Sequence, residues 1–133
     1  MFELIDNTAD VTIRVTYEDI FDLFNSLTSG FRFLMIEDQE LQGNIAETHC
    51  YTFDLNEKIY RMAVDLLNSF IFEFDLLHAI PYRCNVSVEQ STVKVLVDFL
   101  ILENGQTLVN IPKAATYASM GNIAKMVEIT LDV

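Results

Sequence analysis

The residues of this chain best suited to chemistry are acids at its two ends. Near the start, Asp6-Asn7-Thr8-Ala9-Asp10 leads directly into Val11–Val15, whose alternation is typical of a half-buried strand. Near the end, another alternating segment leads to Asp132 and to the terminal carboxylate of Val133. If the two ends lie side by side, three carboxylate groups meet there. Because clustered carboxylates need a counter-charge, that place would be a hard-cation site or a recognition surface.

No other set of residues indicates catalysis. The chain has no Gly-x-Ser-x-Gly elbow, no glycine-rich phosphate loop and no His-Glu-x-x-His helix. Its acids are numerous, so a metal-dependent hydrolase that uses paired carboxylates stays an alternative. Most of these acids, however, fall where helix caps and solvated helix faces are expected. We therefore predict that the protein is not an enzyme.

The charge of the chain limits its partners. Its formal net charge is −12, with eight basic residues against twenty acidic ones. Tight binding to a nucleic-acid backbone needs a basic stripe that displaces counterions, and the sequence has none. The acidity favours solubility, cation binding or docking on a basic protein. We predict no direct contact with nucleic acid.

Length and hydropathy predict one globular domain over residues 1–133. Hydrophobic residues make up 51% of the chain, which is enough for a substantial core. No apolar run reaches the roughly 18 residues that a membrane span needs, and the first residues lack the pattern of a secretory signal. We therefore expect a cytoplasmic protein without a membrane partner.

The cysteines and histidines do not form a recognisable site. Cys50 and Cys84 are far apart in strand-like contexts and are predicted to be small buried hydrophobic residues. His49 and His78 are isolated, and a lone histidine is more often a surface or satisfied core residue than a ligand.

Two helices are predicted from apolar spacing. The first runs from Glu18 to about Leu34 after a cap within Thr16–Asp19, and Gly30 could end it early. The second follows Asp54–Glu57, read as a capping box, and ends by about Leu77 before Pro81. The second helix is so apolar that it should be covered on more than one side. The first carries an aromatic stripe that should belong to the core, formed by Phe21, Phe24 and Phe31.

The remaining segments read as strands and turns. Residues 37–47 are polar and should form a loop. Turns are expected at Glu89–Ser91, at Glu103–Gln106 and at Gly121-Asn122, and the strand from Thr92 should be central in its sheet because it is long and aliphatic. The predicted strands cover Val11–Val15, Thr48–Phe53, Tyr82–Val88, Thr92–Leu102, Ala114–Ser119 and Ala124–Leu131. This order predicts an α+β domain: a mostly antiparallel sheet packed with two helices.

Several short motifs, taken together, resemble the archease family. That family opens with an acid followed by His-Thr-Ala-Asp, carries a late Lys-Ala-(Ile/Val)-Thr-Tyr, and ends in an apolar residue, Asp and a final aliphatic residue. The central helix of the family is also similar to Val64–Asn68. The corresponding stretches here, in the same order, are Asp6–Asp10, Lys113-Ala114-Ala115-Thr116-Tyr117 and Leu131-Asp132-Val133. Asn7 stands where the family has histidine, so a proton-transfer role is lost at that position.

The resemblance implies a function. Archeases are accessory factors of RtcB-type RNA ligases, which join tRNA halves, and they promote ligase guanylylation and repeated turnover. The family's metal site would correspond to Asp10, Asp132 and Val133, holding a divalent ion such as calcium, magnesium or manganese. Its functionally important lysine would correspond to Lys113. The alternative from a different class is a chaperone-like interaction module that recognises partners through apolar surface.

Overall fold

A computed structural model describes residues 1–7, 9–103, 105–119 and 125–133. Over these residues the chain forms seven strands and two helices in the order β1, β2, α1, β3, α2, β4, β5, β6 and β7. Their bounds are β1 Phe2–Asp6, β2 Asp10–Thr16, α1 Ile20–Ile36, β3 Ile45–Asp54, α2 Ile59–Leu77, β4 Ala79–Glu89, β5 Thr92–Ile101, β6 Ala114–Ser119 and β7 Met126–Asp132.

The strands form two antiparallel sheets. One has the order β1-β2-β7-β6 and the other the order β3-β5-β4. Each helix packs against both sheets: α1 contacts β1, β2 and β4, whereas α2 contacts β4, β6 and β7. The core lies between these elements, and its largest fully buried side chains include Phe24, Phe31, Phe70 and Phe99. The predicted α+β domain with two helices is confirmed, as are the central place of β5 and the covering of α2 on more than one side.

Helix α1 begins and ends two residues later than predicted. Asp19 is the N-cap, and its side chain accepts a hydrogen bond from the Asp22 amide. Gly30 does not end the helix. A methyl group at that position would lie 3.2 Å from the Phe2 ring and 3.3 Å from Ile13. The glycine is therefore used for close packing of α1 against β1 and β2.

The capping box predicted for α2 is wrong. Lys58 is the N-cap and makes no side-chain capping bond. Asp54 is the last residue of β3, and its carboxylate accepts a hydrogen bond from the Asn56 amide within a tight turn. The Asp54 carboxylate therefore stabilises the turn between β3 and α2 and does not cap the helix. The predicted end at Leu77 is confirmed, and His78 follows in a left-handed conformation.

Several strand bounds differ from the predicted ones. Strand β1 was not predicted, and the expected loop 37–47 gives way to β3 at Ile45. Strand β4 begins at Ala79 and contains Pro81 at a register shift. Proline is tolerated there because β4 is an edge strand.

Three predictions of burial are wrong. Phe21 is 45% exposed, whereas Phe24 and Phe31 of the same stripe are fully buried. Cys50 is exposed because inward-facing residues alternate along β3 and Cys50 falls on the outer face. Cys84 is half-buried, and this partial burial raises the pKa of its thiol.

Some sequence predictions fall outside the described residues. These are the turn at Gly121-Asn122, the start of the last strand at Ala124, and Asn104 in the turn before Gly105. Neither of the described helices combines the length and apolar character needed to cross a membrane.

Candidate functional site

Strands near the two ends of the chain are neighbours in one sheet. Strands β2 and β7 pair antiparallel, and their register sets Asp10 directly opposite Asp132. Side chains at directly opposed positions lie on the same face, with Cβ atoms about 4.5–5.5 Å apart. The two carboxylates that the sequence singled out are therefore neighbours, although 122 positions separate them in the chain.

The alternation of these strands determines which face carries the acids. Val11, Ile13 and Val15 are buried on the inner face. The same face of β2 that carries Asp10 also carries Thr12 and Arg14, which lie opposite Thr130 and Glu128. The threonine hydroxyls are 3.1 Å apart, and Arg14 donates a hydrogen bond to Glu128 at 3.3 Å. Polar cross-strand pairs thus lead along this face to the two acids.

The turn between β1 and β2 fixes the conformation of Asp10. The side-chain amide of Asn7 donates to Asp10 Oδ1 at 2.7 Å, and the Asn7 backbone amide donates to the Asp10 carbonyl at 3.0 Å. One carboxylate oxygen of Asp10 is therefore held by the turn. Asp6 lies opposite Val11, on the other face, so it is not brought to the pair.

The segment with Lys113 reaches the same place from the other side of β7. Ala114 lies opposite Asp132 on β6, and the backbone amide of Lys113 donates to the Asp132 carbonyl at 2.7 Å. The adjacent Pro112 is buried, whereas Lys113 is exposed. Lys113 is thus attached through its backbone to the residue that carries the second carboxylate.

Helix α2 holds β6 in position. Asn68 donates to the Ala115 carbonyl at 3.1 Å and accepts from the Ala115 amide at 2.9 Å. Tyr60 stacks on Tyr117 with ring centroids 4.4 Å apart. The side-chain amide of Asn68 therefore replaces a neighbouring strand at the free edge of β6.

The electrostatics of the acid pair are unfavourable without a cation. Carboxylates directly opposite on one face repel each other. Within the described part of the chain, neither Asp10 nor Asp132 forms an ion pair, and neither does Lys113. The donors are carboxylate oxygens, which calcium, magnesium and manganese prefer. This donor set fits a hard divalent ion.

Val133 follows Asp132 directly and is half-buried, with its side chain against the core. This packing anchors the residue beside the acid pair.

A second group of polar side chains was missed by the sequence reasoning. His49 lies between two carboxylates, 3.1 Å from Glu47 and 3.5 Å from Glu73. Two signals could have revealed it. Glu47 and His49 are two residues apart on a strand and so share a face, and Glu73 interrupts the apolar face of α2. Burial, together with the nearby Glu47, raises the pKa of Glu73.

Comparisons with known proteins agree with this fold. The profile of the archease protein family (MTH1598/TM1083) matches residues 2–133. No curated protein matches the chain significantly. The solution structure of protein 1598 from Methanobacterium thermoautotrophicum is similar, with a TM-score of 0.70, 16% identity, and coverage of 99% of this chain and 98% of that one. The crystal structure of an archease from Thermotoga maritima, described as a possible chaperone, has a TM-score of 0.59 at 18% identity and covers 100% and 98% of the two chains.

The fold is thus a small α+β domain with paired carboxylates where β2 begins and β7 ends. The family match spans nearly the whole sequence, and the chain belongs to the archease family.

Proposed function

We propose that this archease activates an RtcB-type RNA ligase, promoting guanylylation of the ligase and its repeated turnover. In this proposal Asp10, Asp132 and the terminal carboxylate of Val133 hold a divalent metal ion, and Lys113 acts beside it. The observation that carries the proposal is the opposition of Asp10 and Asp132 across β2 and β7, without a basic partner in the described residues.

The chain's own residues would prepare the ion site in two ways. The Asn7 amide holds Oδ1 of Asp10, so the second oxygen of that carboxylate has a defined direction. The backbone bond from Lys113 to the Asp132 carbonyl fixes the end of β7. A bound divalent ion would supply a positive charge with coordination positions left open for a phosphate or for a partner's oxygen.

Lys113 is suited to contacting a phosphate or an acidic group of the partner. It is exposed, and no ion pair between described residues engages it. An ammonium group free to rotate can meet a phosphate or a partner's acid. The backbone amide of this residue is bonded to the Asp132 carbonyl, which supports a role for the Lys113 ammonium group near the proposed ion.

The test is ligase guanylylation and multiple-turnover RNA joining, with and without this protein. Asp132→Asn, Asp10→Asn and addition of one glycine after Val133 should each abolish the stimulation, because each removes or blocks one oxygen ligand. Lys113→Ala should reduce it as well.

Asp38→Asn is the matched control, since Asp38 is an exposed acid in the turn after α1. It should stimulate the ligase as the wild type does. Full stimulation by Asp132→Asn would contradict the metal-site proposal, and absence of stimulation by the wild type would contradict the ligase proposal as a whole.

A second candidate function is a chaperone-like interaction module, and one observation favours it. Phe72 and Leu76 on α2 are each 61% exposed, and Leu77 is 42% exposed. Phe72 and Leu76 are four residues apart and so lie on one helix face. An exposed apolar patch of this kind is typical of interaction surfaces.

Suppression of aggregation of a denatured test protein distinguishes the two functions. The chaperone-like module predicts suppression that is lost in Phe72→Gln/Leu76→Gln and unchanged in Asp10→Asn or Asp132→Asn. Suppression that survives the double substitution would exclude this surface.

A further inference from the structure

A second polar cluster, distinct from the pair Asp10 and Asp132, lies between β3 and α2. It consists of Glu47 and His49 on β3 and Glu73 on α2, and we call it the Glu-His-Glu cluster. Its three possible ligand atoms lie within 4.8 Å of one another. Glu47 and His49 occupy the inward row of β3, which is why they meet a helix residue.

Burial makes this cluster different from an ordinary group of surface acids. The Glu73 side chain is only 8% exposed, and its Oε2 atom, 3.5 Å from His49 Nε2, is buried without a hydrogen bond among the described residues. A buried carboxylate oxygen without a partner is costly. Glu73 is therefore aimed at a place where a cationic partner would be stabilising.

Two further buried polar atoms lack a hydrogen bond within the described part of the chain, and both are on β3. They are Glu47 Oε1 and the Tyr51 hydroxyl. Tyr51 lies two residues beyond His49 on the same row, and burial and the negative charges of Glu73 and Glu47 raise the pKa of its phenol. An ion or a water bound among these groups would satisfy them.

The two carboxylates of the cluster need compensating positive charge, which one divalent ion or two protons can supply. Of the ion pairs between described residues, those of Glu47 and Glu73 involve His49 alone. A protonated imidazole together with a proton on Glu73, whose pKa is raised by burial and by its hydrogen bond with Glu47, would neutralise the cluster as well. A divalent ion beside a neutral imidazole would balance both carboxylates.

The spacing also fits coordination. Zinc binds histidine nitrogen and carboxylate oxygen at about 2.0–2.2 Å, so tetrahedral ligands are roughly 3.4 Å apart. The observed separations from His49 Nε2 are 3.1 Å to Glu47 and 3.5 Å to Glu73. The His49 side chain is 40% exposed, which leaves an entry path for the ion.

We propose that the Glu-His-Glu cluster is a second metal site, which binds a zinc-type divalent transition-metal ion through His49 Nε2 and one carboxylate oxygen each from Glu47 and Glu73. Its imidazole nitrogen distinguishes it from the all-oxygen pair at Asp10 and Asp132. Three protein ligands leave a fourth position for water or a partner's donor group. This inference does not depend on ligase activation.

The experiment is calorimetric titration of the metal-free full chain with Zn²⁺, done in the Asp132→Asn background so that the other acid pair does not contribute. We expect one ion per chain. His49→Gln and Glu73→Gln should each weaken binding by more than about 100-fold, because even changes outside the first ligand shell cost 10- to 100-fold. His78→Asn is the matched control. It removes the other imidazole, and asparagine tolerates the left-handed conformation at that position, so binding should be unchanged.

A second measurement does not require the ligand variants to fold. Side-chain ¹⁵N NMR of the two histidines, assigned with His78→Asn, should show Zn²⁺ shifting Nε2 of His49 but not the His78 ring. Three results would overturn the proposal: no Zn²⁺ binding, binding that disappears in Asp132→Asn, or a His49 resonance that does not respond to Zn²⁺.

Discussion

At the scale of single residues, the acid pair Asp10 and Asp132 is an arrangement that the fold alone does not explain. A sheet gains nothing from opposed carboxylates, because directly opposed like charges are destabilising. The same face carries a favourable pair of opposite charges at Arg14 and Glu128, four residue pairs along the two strands. The presence of two acids where a neutral or oppositely charged pair would be more stable is consistent with a role in binding.

This repulsion gives a prediction for Asp132→Asn. In the presence of a chelator, the variant should be more stable than the wild type by about 0.2–1 kcal/mol, since one of two opposed charges is removed. In calcium, the wild type should gain stability and the variant should not, because a ligand of the folded state stabilises it. Urea unfolding under both conditions measures this. A variant that is less stable than the wild type in chelator would show that Asp132 has a structural role.

At the scale of elements, the position of Lys113 depends on how β6 is held. Strand β6 is at the edge of its sheet, and it pairs with β7 on one side. On its other side the two hydrogen bonds from Asn68 connect Ala115 to α2. Helix α2, although distant from β6 in the sequence, thus determines the position of the segment that carries Lys113.

Asn68→Ala tests this connection. Loss of both hydrogen bonds should lower the free energy of unfolding by about 1–3 kcal/mol, from roughly 0.5–1.5 kcal/mol for each bond. Amide hydrogen exchange at Ala115 should accelerate as well. Ser69→Ala is the control, because the Ser69 hydroxyl bonds to Asp65 within its own helix. Unchanged exchange at Ala115 in Asn68→Ala would contradict this role.

The three-stranded sheet has a cross-link of its own at Asp98. From the central strand β5, Asp98 accepts hydrogen bonds from Arg83 on β4 and Thr48 on β3, each at 2.7 Å. The hydrogen bond from Arg83, followed by that from Thr48, lowers the pKa of Asp98 in the folded state. All three strands of the sheet are therefore connected through one carboxylate.

The cross-link predicts a pH dependence. Because the pKa of Asp98 is lower in the folded than in the unfolded state, ionised Asp98 stabilises the fold. This stabilisation is fully present above the unfolded pKa, about 3.9, and is lost as the pH falls through the folded pKa. Asp98→Asn should therefore be less stable than the wild type near pH 7, and the difference should shrink below about pH 4. Urea unfolding at several pH values measures it. Glu89→Gln is the control, since the 3.7 Å pair of Glu89 with Lys94 is exposed and should matter little at any pH. A difference that is constant with pH would contradict the prediction.

At the scale of the whole molecule, the net charge of −12 affects association more than folding. An acidic accessory protein can approach a basic, RNA-binding partner without competing for its RNA. Electrostatic attraction of this kind mainly increases the rate of association and is screened by salt.

Binding of this archease to the proposed ligase should therefore have a salt-sensitive association rate. Raising the ionic strength from about 0.05 to 0.5 M should slow association by roughly tenfold or more, while dissociation changes little. Surface plasmon resonance measures both rates. A mixed-sequence RNA serves as the negative control and should show no binding at either salt concentration. An association rate that does not change with salt would contradict electrostatic docking.

Much of the fold could be predicted because its signals are local. The 3.6-residue spacing identified both helices, and alternation identified most of the strands. Phe21 and Cys50 were misplaced because the face on which a residue falls depends on which elements cover it. The capping role of Asp54 was misread because β3 runs further than its local pattern indicates.

The sequence by itself determined both helices, most of the strands, their order and the family motifs, since all of these are read along the chain. Only the tertiary structure decided that Asp10 lies opposite Asp132, because strand register is set by packing between segments that are distant in sequence. The same reason explains the Glu-His-Glu cluster. No local pattern links Glu73 to His49, and they meet only because α2 packs beside the inward face of β3.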